Sequence, residues 1–237
     1  VKEFHLSGGD IGLPACPAIF KDPMSKNKKF ILVYRIIFAA IGWFGLIGHF
    51  FHGILSRPEN WTIGKQIWNF FSYFTIQTNL FVMLWLTIAI LFWKHKNQPA
   101  GLNPKFKGAA TLYITITFLV YATVLDRLWN PTGFPLVFTT ISHYVTPIAF
   151  IIDWFLFEKK QSYQWRYLID WMVYPLVYLV YTQVYGGFTG NYLYPFLDLP
   201  IIGWGGLLVR VVALCGFFLA LGSAYVALNR RMKPKSA

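Results

Sequence analysis

Apolar residues run along this chain in long stretches, separated by short polar segments. A bilayer core of about 30 Å needs about 20 mostly apolar residues in a helix. Six stretches meet or approach that length: 30–51, 70–93, 109–129, 140–157, 167–185 and 204–228. The pattern predicts an all-α, polytopic membrane protein with six transmembrane helices. The fourth and fifth stretches are short and contain Pro147 and Pro175, which membrane helices tolerate when neighbours satisfy the freed backbone groups. The sequence contains no evident internal repeat and no low-complexity tract.

The basic residues are distributed one-sidedly between these stretches. Lys26, Lys28 and Lys29 precede the first; Lys94, Lys96, Lys105 and Lys107 follow the second; Lys159, Lys160 and Arg166 follow the fourth; Arg230, Arg231, Lys233 and Lys235 follow the sixth. The alternate loops hold only Arg57 and Lys65, and residues 130–139 and 186–203 hold neither Lys nor Arg. Positive loops stay cytoplasmic. The expectation is an even number of spans in the cell membrane, with both termini cytoplasmic.

Composition agrees with this class. Of 237 residues, 56% are hydrophobic, 20% aromatic and 13% charged, whereas soluble domains are about 45–50% apolar and about 25% charged. The net charge of +12 lies mostly in the loops between spans, which argues for membrane topology and lipid contact and against a nucleic-acid partner. The two cysteines, Cys16 and Cys215, do not suggest a disulfide framework. Residues 1–23 have no apolar periodicity and no signal-peptide core. They are expected to be a vector-derived or upstream extension before Met24, leaving 24–237 as one six-span domain.

Ionisable residues within spans usually face the bundle interior. They sort by depth into an inner group, Arg35, Asp153 and Asp170, and an outer group, His49, His52, Asp126, Arg127, His143 and Arg210. The inner group is expected to form an ion-pair network. The outer group is joined by the polar residues of 71-FSYFTIQTNLF-81, where Ser72, Thr75, Thr78 and Asn79 form a stripe along one helix face and Gln77 lies to its side. Thr75 and His143 both lie a few residues inside the outer ends of their spans, at matching depth. A threonine nucleophile needs a base and donors for the oxyanion. His143 is the candidate base, Asn79, Arg210 or backbone groups the candidate donors, and Asp126 the candidate orienting residue. Thr78 is a competing hydroxyl. Such stripes are also common as plain interhelical hydrogen bonding.

The segments 72-SYFTIQTNLFV-82 and 142-SHYVTPIAFIIDW-154 resemble the androgen-induced-gene and androgen-dependent TFPI-regulating protein family of membrane threonine hydrolases, which has six-span bacterial relatives. The resemblance covers the first five spans and is loose outside these two segments. It implies cleavage of fatty acid esters of hydroxy fatty acids, or of related lipid esters, without a cofactor or metal. The family's nucleophile lies in a Tyr-x-Thr context near the start of the second span, matched by Tyr73-Phe74-Thr75, and its essential His near the start of the fourth is matched by His143. This sequence departs from the animal pattern at Ile76-Gln77-Thr78-Asn79. Three other readings are open: a zinc-dependent lipid hydrolase or amidase using His49, His52, His143 and Asp126; a small transporter; and a non-catalytic scaffold.

Overall fold

The computed structural model describes residues 26–95 and 99–232, so the expectation for residues 1–23 lies outside the described residues, as do Lys96, Lys233 and Lys235. Among the described residues the chain is helical and has no strand. The helices are α1 (Lys26–Leu55), α2 (Ile63–Ser72), α3 (Phe74–Leu91), α4 (Pro104–Val120), α5 (Phe134–Thr140), α6 (Thr146–Phe157), α7 (Tyr167–Thr189) and α8 (Leu199–Arg231). Wide π turns extend α4 over Tyr121–Leu125 and join α5 to α6 over Ile141–Val145.

Among the described residues, five helical segments are long and apolar enough to cross a membrane: Asn27–Leu55, Phe74–Leu91, Pro104–Leu125, Phe134–Phe157 and Leu199–Arg231. The remaining expected stretch, 167–185, lies within the 23-residue α7. Its tyrosines, Asp170 and Gln183 interrupt the apolar run. Two differences from expectation bear on the site. The second stretch is broken at Tyr73, whose ψ of 131° is extended, so α2 and α3 are separate helices. The fourth begins earlier, at Phe134.

Local chemistry sets several of these helix ends and turns. Thr62 caps α2, accepting from the Lys65 amide at 3.1 Å, and Asn103 caps α4, accepting from the Phe106 amide at 2.8 Å ahead of Pro104. The π turn at Ile141–Val145 precedes Pro147, whose ring in a regular helix would meet the carbonyl four residues back. The Thr146 amide bonds the Ile141 carbonyl. The next amide in that register would be that of Pro147, which has none, so the Ser142 carbonyl is left without a partner in its own helix.

α1 packs on α3, α5 and α6, α4 on α3, α6 and α8, and α7 on α8. Gly42, Gly45 and Gly48 of α1 permit this closeness, since a Cβ at each would meet the side chains of Met83, Ile141 and Phe138 respectively. Successive long helices run in alternating directions, which gives the bundle two chemically different ends. One end gathers Lys28, Lys29, Lys94, Lys105, Lys159, Arg166, Arg230 and Arg231.

Beneath that basic end lies a buried ion network. Arg35 binds Asp153 through two bonds, of 2.8 and 3.2 Å, and Lys107 reaches Asp153 at 2.7 Å and Glu158 at 3.1 Å. Two cations meet two anions, and both cations also lie over the Trp85 ring. The expected network therefore forms, with a different membership. Asp170 stands apart, paired at 2.7 Å with Lys105 on a partly exposed surface. Lys107, read from sequence as a loop charge, is only 3% exposed.

Candidate active site

The other end of the bundle collects the first turn of α3, both π turns, the end of α1 and the loop between α7 and α8. Thr75 is the second residue of α3, just after the break at Tyr73. His143 sits inside the π turn between α5 and α6. Their side chains meet, with Thr75 Oγ1 at 3.2 Å from His143 Nε2. Both residues are buried, each about 9% exposed.

The tautomer of His143 follows from its other nitrogen. Nδ1 lies 3.0 Å from the Thr139 carbonyl oxygen. A carbonyl can only accept, so Nδ1 carries the proton and Nε2 presents its lone pair to Thr75. The Tyr121 ring stacks on the imidazole at 3.8 Å between centroids and 23° between planes, which limits rotation. Each ring comes from a π turn, a geometry enriched at functional sites.

The backbone break at Tyr73 is held by α7. The Tyr178 hydroxyl accepts from the Phe74 amide at 3.0 Å and donates to the Ser72 carbonyl at 3.0 Å. Its neighbours continue the pattern: Tyr174 donates to Gln77 Oε1 at 2.6 Å, the Tyr181 and Ser72 hydroxyls bond at 2.6 Å, and Tyr185 donates to Asn69 Oδ1 at 2.8 Å. These tyrosines recur at helical spacing, and the same spacing in the sequence was the available signal for them.

The remaining expected site residues are distributed as follows. Asn79 donates to the Thr75 carbonyl at 2.8 Å and to the Ser142 carbonyl at 2.9 Å, so both amide hydrogens are committed to backbone. It satisfies the carbonyl that Pro147 orphans and ties the helix of Thr75 to the π turn of His143. That corrects its assignment as an oxyanion donor. Asp126 is exposed, and the Thr139 carbonyl, not Asp126, orients His143. Arg210 lies on α8 and lines neither cavity that reaches Thr75. Thr78 donates to the Thr75 carbonyl or bonds Thr117 Oγ1 at 2.9 Å, away from the imidazole. Among the described residues, no three His, Cys, Asp or Glu side chains converge as metal ligands, so the four residues of the zinc reading do not form a centre.

Sequence reading missed Tyr194, in the loop before α8. Its phenol lies against both the side chain and the backbone amide of Thr75. Burial pushes the phenol up to about 12, against the opposing effect of the Thr75 contacts, so it stays protonated at neutral pH and can donate. Two spaces meet at Thr75 and Tyr194. One is a cavity of about 470 Å³ that includes His49, Gln66, Asn69, Tyr73, His143 and Tyr192. The other is a narrow apolar cleft of about 60 Å³ between α4, α7 and α8.

Compared with protein-family models, curated proteins and solved structures, the chain has no match.

Proposed function

We propose that this protein is an integral-membrane hydrolase that cleaves lipid esters of fatty acyl groups, with Thr75 as nucleophile and His143 as base. The observation that carries this reading is the pairing of Thr75 Oγ1 with the unprotonated Nε2 of His143, at 3.2 Å, while the Thr139 carbonyl holds the opposite nitrogen. A hydroxyl bonded to an oriented imidazole is the arrangement that activates a weak oxygen nucleophile.

In this reading Thr75 Oγ1 attacks the ester carbonyl carbon as its proton passes to His143 Nε2. The carbonyl oxygen becomes an oxyanion that the Thr75 amide and the Tyr194 hydroxyl stabilise, the amide aided by its place at a helix N-terminus. The intermediate collapses by breaking the bond to the leaving alcohol, which takes the proton from His143. Water then attacks the acyl-threonine, again losing its proton to His143, and the fatty acid leaves as Thr75 regains its hydrogen.

The membrane arrangement belongs to the same proposal. α7 is the fifth of six spans, its tyrosines turned to the polar stripe of α2 and α3. Both termini are cytoplasmic in the cell membrane, because the basic end of the bundle is the cytoplasmic one. The site then sits just below the outer surface, at the depth of lipid ester carbonyls, and needs no cofactor.

The test is labelling of the purified protein by a fluorophosphonate, read by intact mass, beside Thr75→Ala, Thr78→Ala and His143→Ala. One adduct is expected in wild type and in Thr78→Ala, and none in the other two. Loss in Thr78→Ala alone moves the nucleophile to Thr78. A wild type that takes no label and cleaves no lipid ester refutes the reading.

A further inference from the structure

The two spaces that meet at Thr75 differ in chemistry. The narrow cleft is lined almost entirely by carbon, with Val120, Pro175, Leu214 and Cys215 along its walls. Its far end holds Ile116, Met172 and Phe218. The helix directions give the cleft an axis. Ile116 precedes Val120 on α4, Met172 precedes Leu179 on α7, and Phe218 follows Leu214 on α8. All three shifts point away from the Thr75 end of the bundle and toward its middle. Met172 and Leu179 are separated by seven residues of α7, about 10 Å along the axis. Ile116 and Phe218 are buried, which closes the floor.

The wider cavity carries polar groups from His49, Gln66, Asn69, Tyr73 and Tyr192, but no Lys, Arg, Asp or Glu lines it. The His49 Nδ1 is buried there without a hydrogen-bond partner. A leaving group placed on this side meets neutral donors and acceptors and no fixed counter-charge.

We infer that the cleft between α4, α7 and α8 is the acyl slot of the site, that it takes one unbranched chain of about the extended length of an octanoyl group, and that the wider cavity takes an uncharged, polar alcohol. This rests on the hydrolase reading for its chemistry and on the cleft itself for its binding. An ester carbonyl at Thr75 has its two substituents on opposite sides. Only one of the two spaces is narrow, apolar and closed at its end. The chain therefore runs from Thr75 toward the middle of the bundle, and Phe218 sets its limit.

Two measurements on the purified full chain in detergent test this. The first compares hydrolysis of acetyl, octanoyl and palmitoyl esters of a neutral chromogenic alcohol. Wild type is expected to prefer octanoyl. Cys215→Trp, which fills the slot, should lose at least about tenfold more on octanoyl than on acetyl, and Phe218→Ala should move the preference toward palmitoyl. Equal effects on all three chains in both variants overturn the slot. The second measurement is independent of turnover. In a Cys16→Ser background Cys215 is the single thiol, and its modification by an alkyl methanethiosulfonate is timed with and without octanoate, also in Thr75→Ala. Slowing by octanoate supports the slot, and an unchanged rate overturns it whatever the ester data. Protection without any ester hydrolysis leaves the slot standing and refutes the hydrolase reading.

Discussion

Tyr178 bridges the break in the polypeptide beside Thr75, its hydroxyl 3.0 Å from the Phe74 amide. The same oxygen donates to the Ser72 carbonyl, so one side chain from α7 satisfies both backbone groups that the break exposes. Removing that hydroxyl leaves a donor and an acceptor buried and unpaired, at about 1–3 kcal/mol each. Tyr178→Phe is expected to lower the unfolding temperature in detergent and to reduce fluorophosphonate labelling, because Thr75 is displaced with the helix start. An unchanged melting profile would remove Tyr178 as the support of the break.

Asn79 is expected to act through position. Asn79→Leu leaves the Ser142 carbonyl without its partner, removes one of two side-chain donors to the Thr75 carbonyl, and should cut kcat for ester hydrolysis with little change in KM. Pro147→Ala supplies an amide to the register that Ser142 faces. Combined with Asn79→Leu, it should recover part of the loss. If the double variant is no better than Asn79→Leu, the orphaned carbonyl is not the reason Asn79 matters.

Tyr194 and Asp126 separate the roles near the imidazole. Tyr194→Phe removes the proposed oxyanion donor and should lower kcat by about 10²–10³. Asp126→Asn should stay within about twofold of wild type, since the Thr139 carbonyl rather than Asp126 holds the imidazole and the amide oxygen can still accept from its tyrosine neighbours. Steady-state kinetics on one ester decide both, and a large Asp126→Asn defect would reinstate Asp126 as the orienting group.

The ion network at the opposite end should behave as a unit. Asp153→Asn strips the bidentate partner from Arg35 and one of two partners from Lys107, and is expected to cost about 3–5 kcal/mol. The pair Arg35→Met with Asp153→Leu should cost less than Asp153→Asn alone, because no charge is stranded. Denaturant unfolding of the three proteins reads the order, and the opposite order would mean the ions hold more than each other.

Glu158, at the end of α6, gives a pH signature. Burial raises its carboxyl above the ordinary value of 4.5, opposed by the Lys107 ammonium. A folded-state value above the unfolded one means that the fold prefers the protonated acid. Its contribution is complete below the unfolded value and is lost as pH rises through the raised folded value. Glu158→Gln keeps the neutral shape, so its melting temperature should match wild type near pH 4 and exceed it at pH 7. A variant less stable than wild type at pH 7 would show that the Lys107 bond outweighs burial.

The helical class of the fold, the long apolar helices and the depth match of Thr75 with His143 were legible in the sequence, because span length, charge placement and helical spacing are local properties of the chain. The partners were not. That Lys107 is buried, that Tyr194 joins Thr75 from a loop more than a hundred residues away in sequence, and that the Thr139 carbonyl rather than Asp126 orients the imidazole depend on which helix faces meet. The π turn that sets His143 opposite Thr75 was half-visible, since Pro147 announces a disrupted ladder. Where the orphaned carbonyl finds its donor was decided only when α3 packed against that turn, because a buried hydrogen bond is chosen by whatever the tertiary fold brings within 3 Å of it.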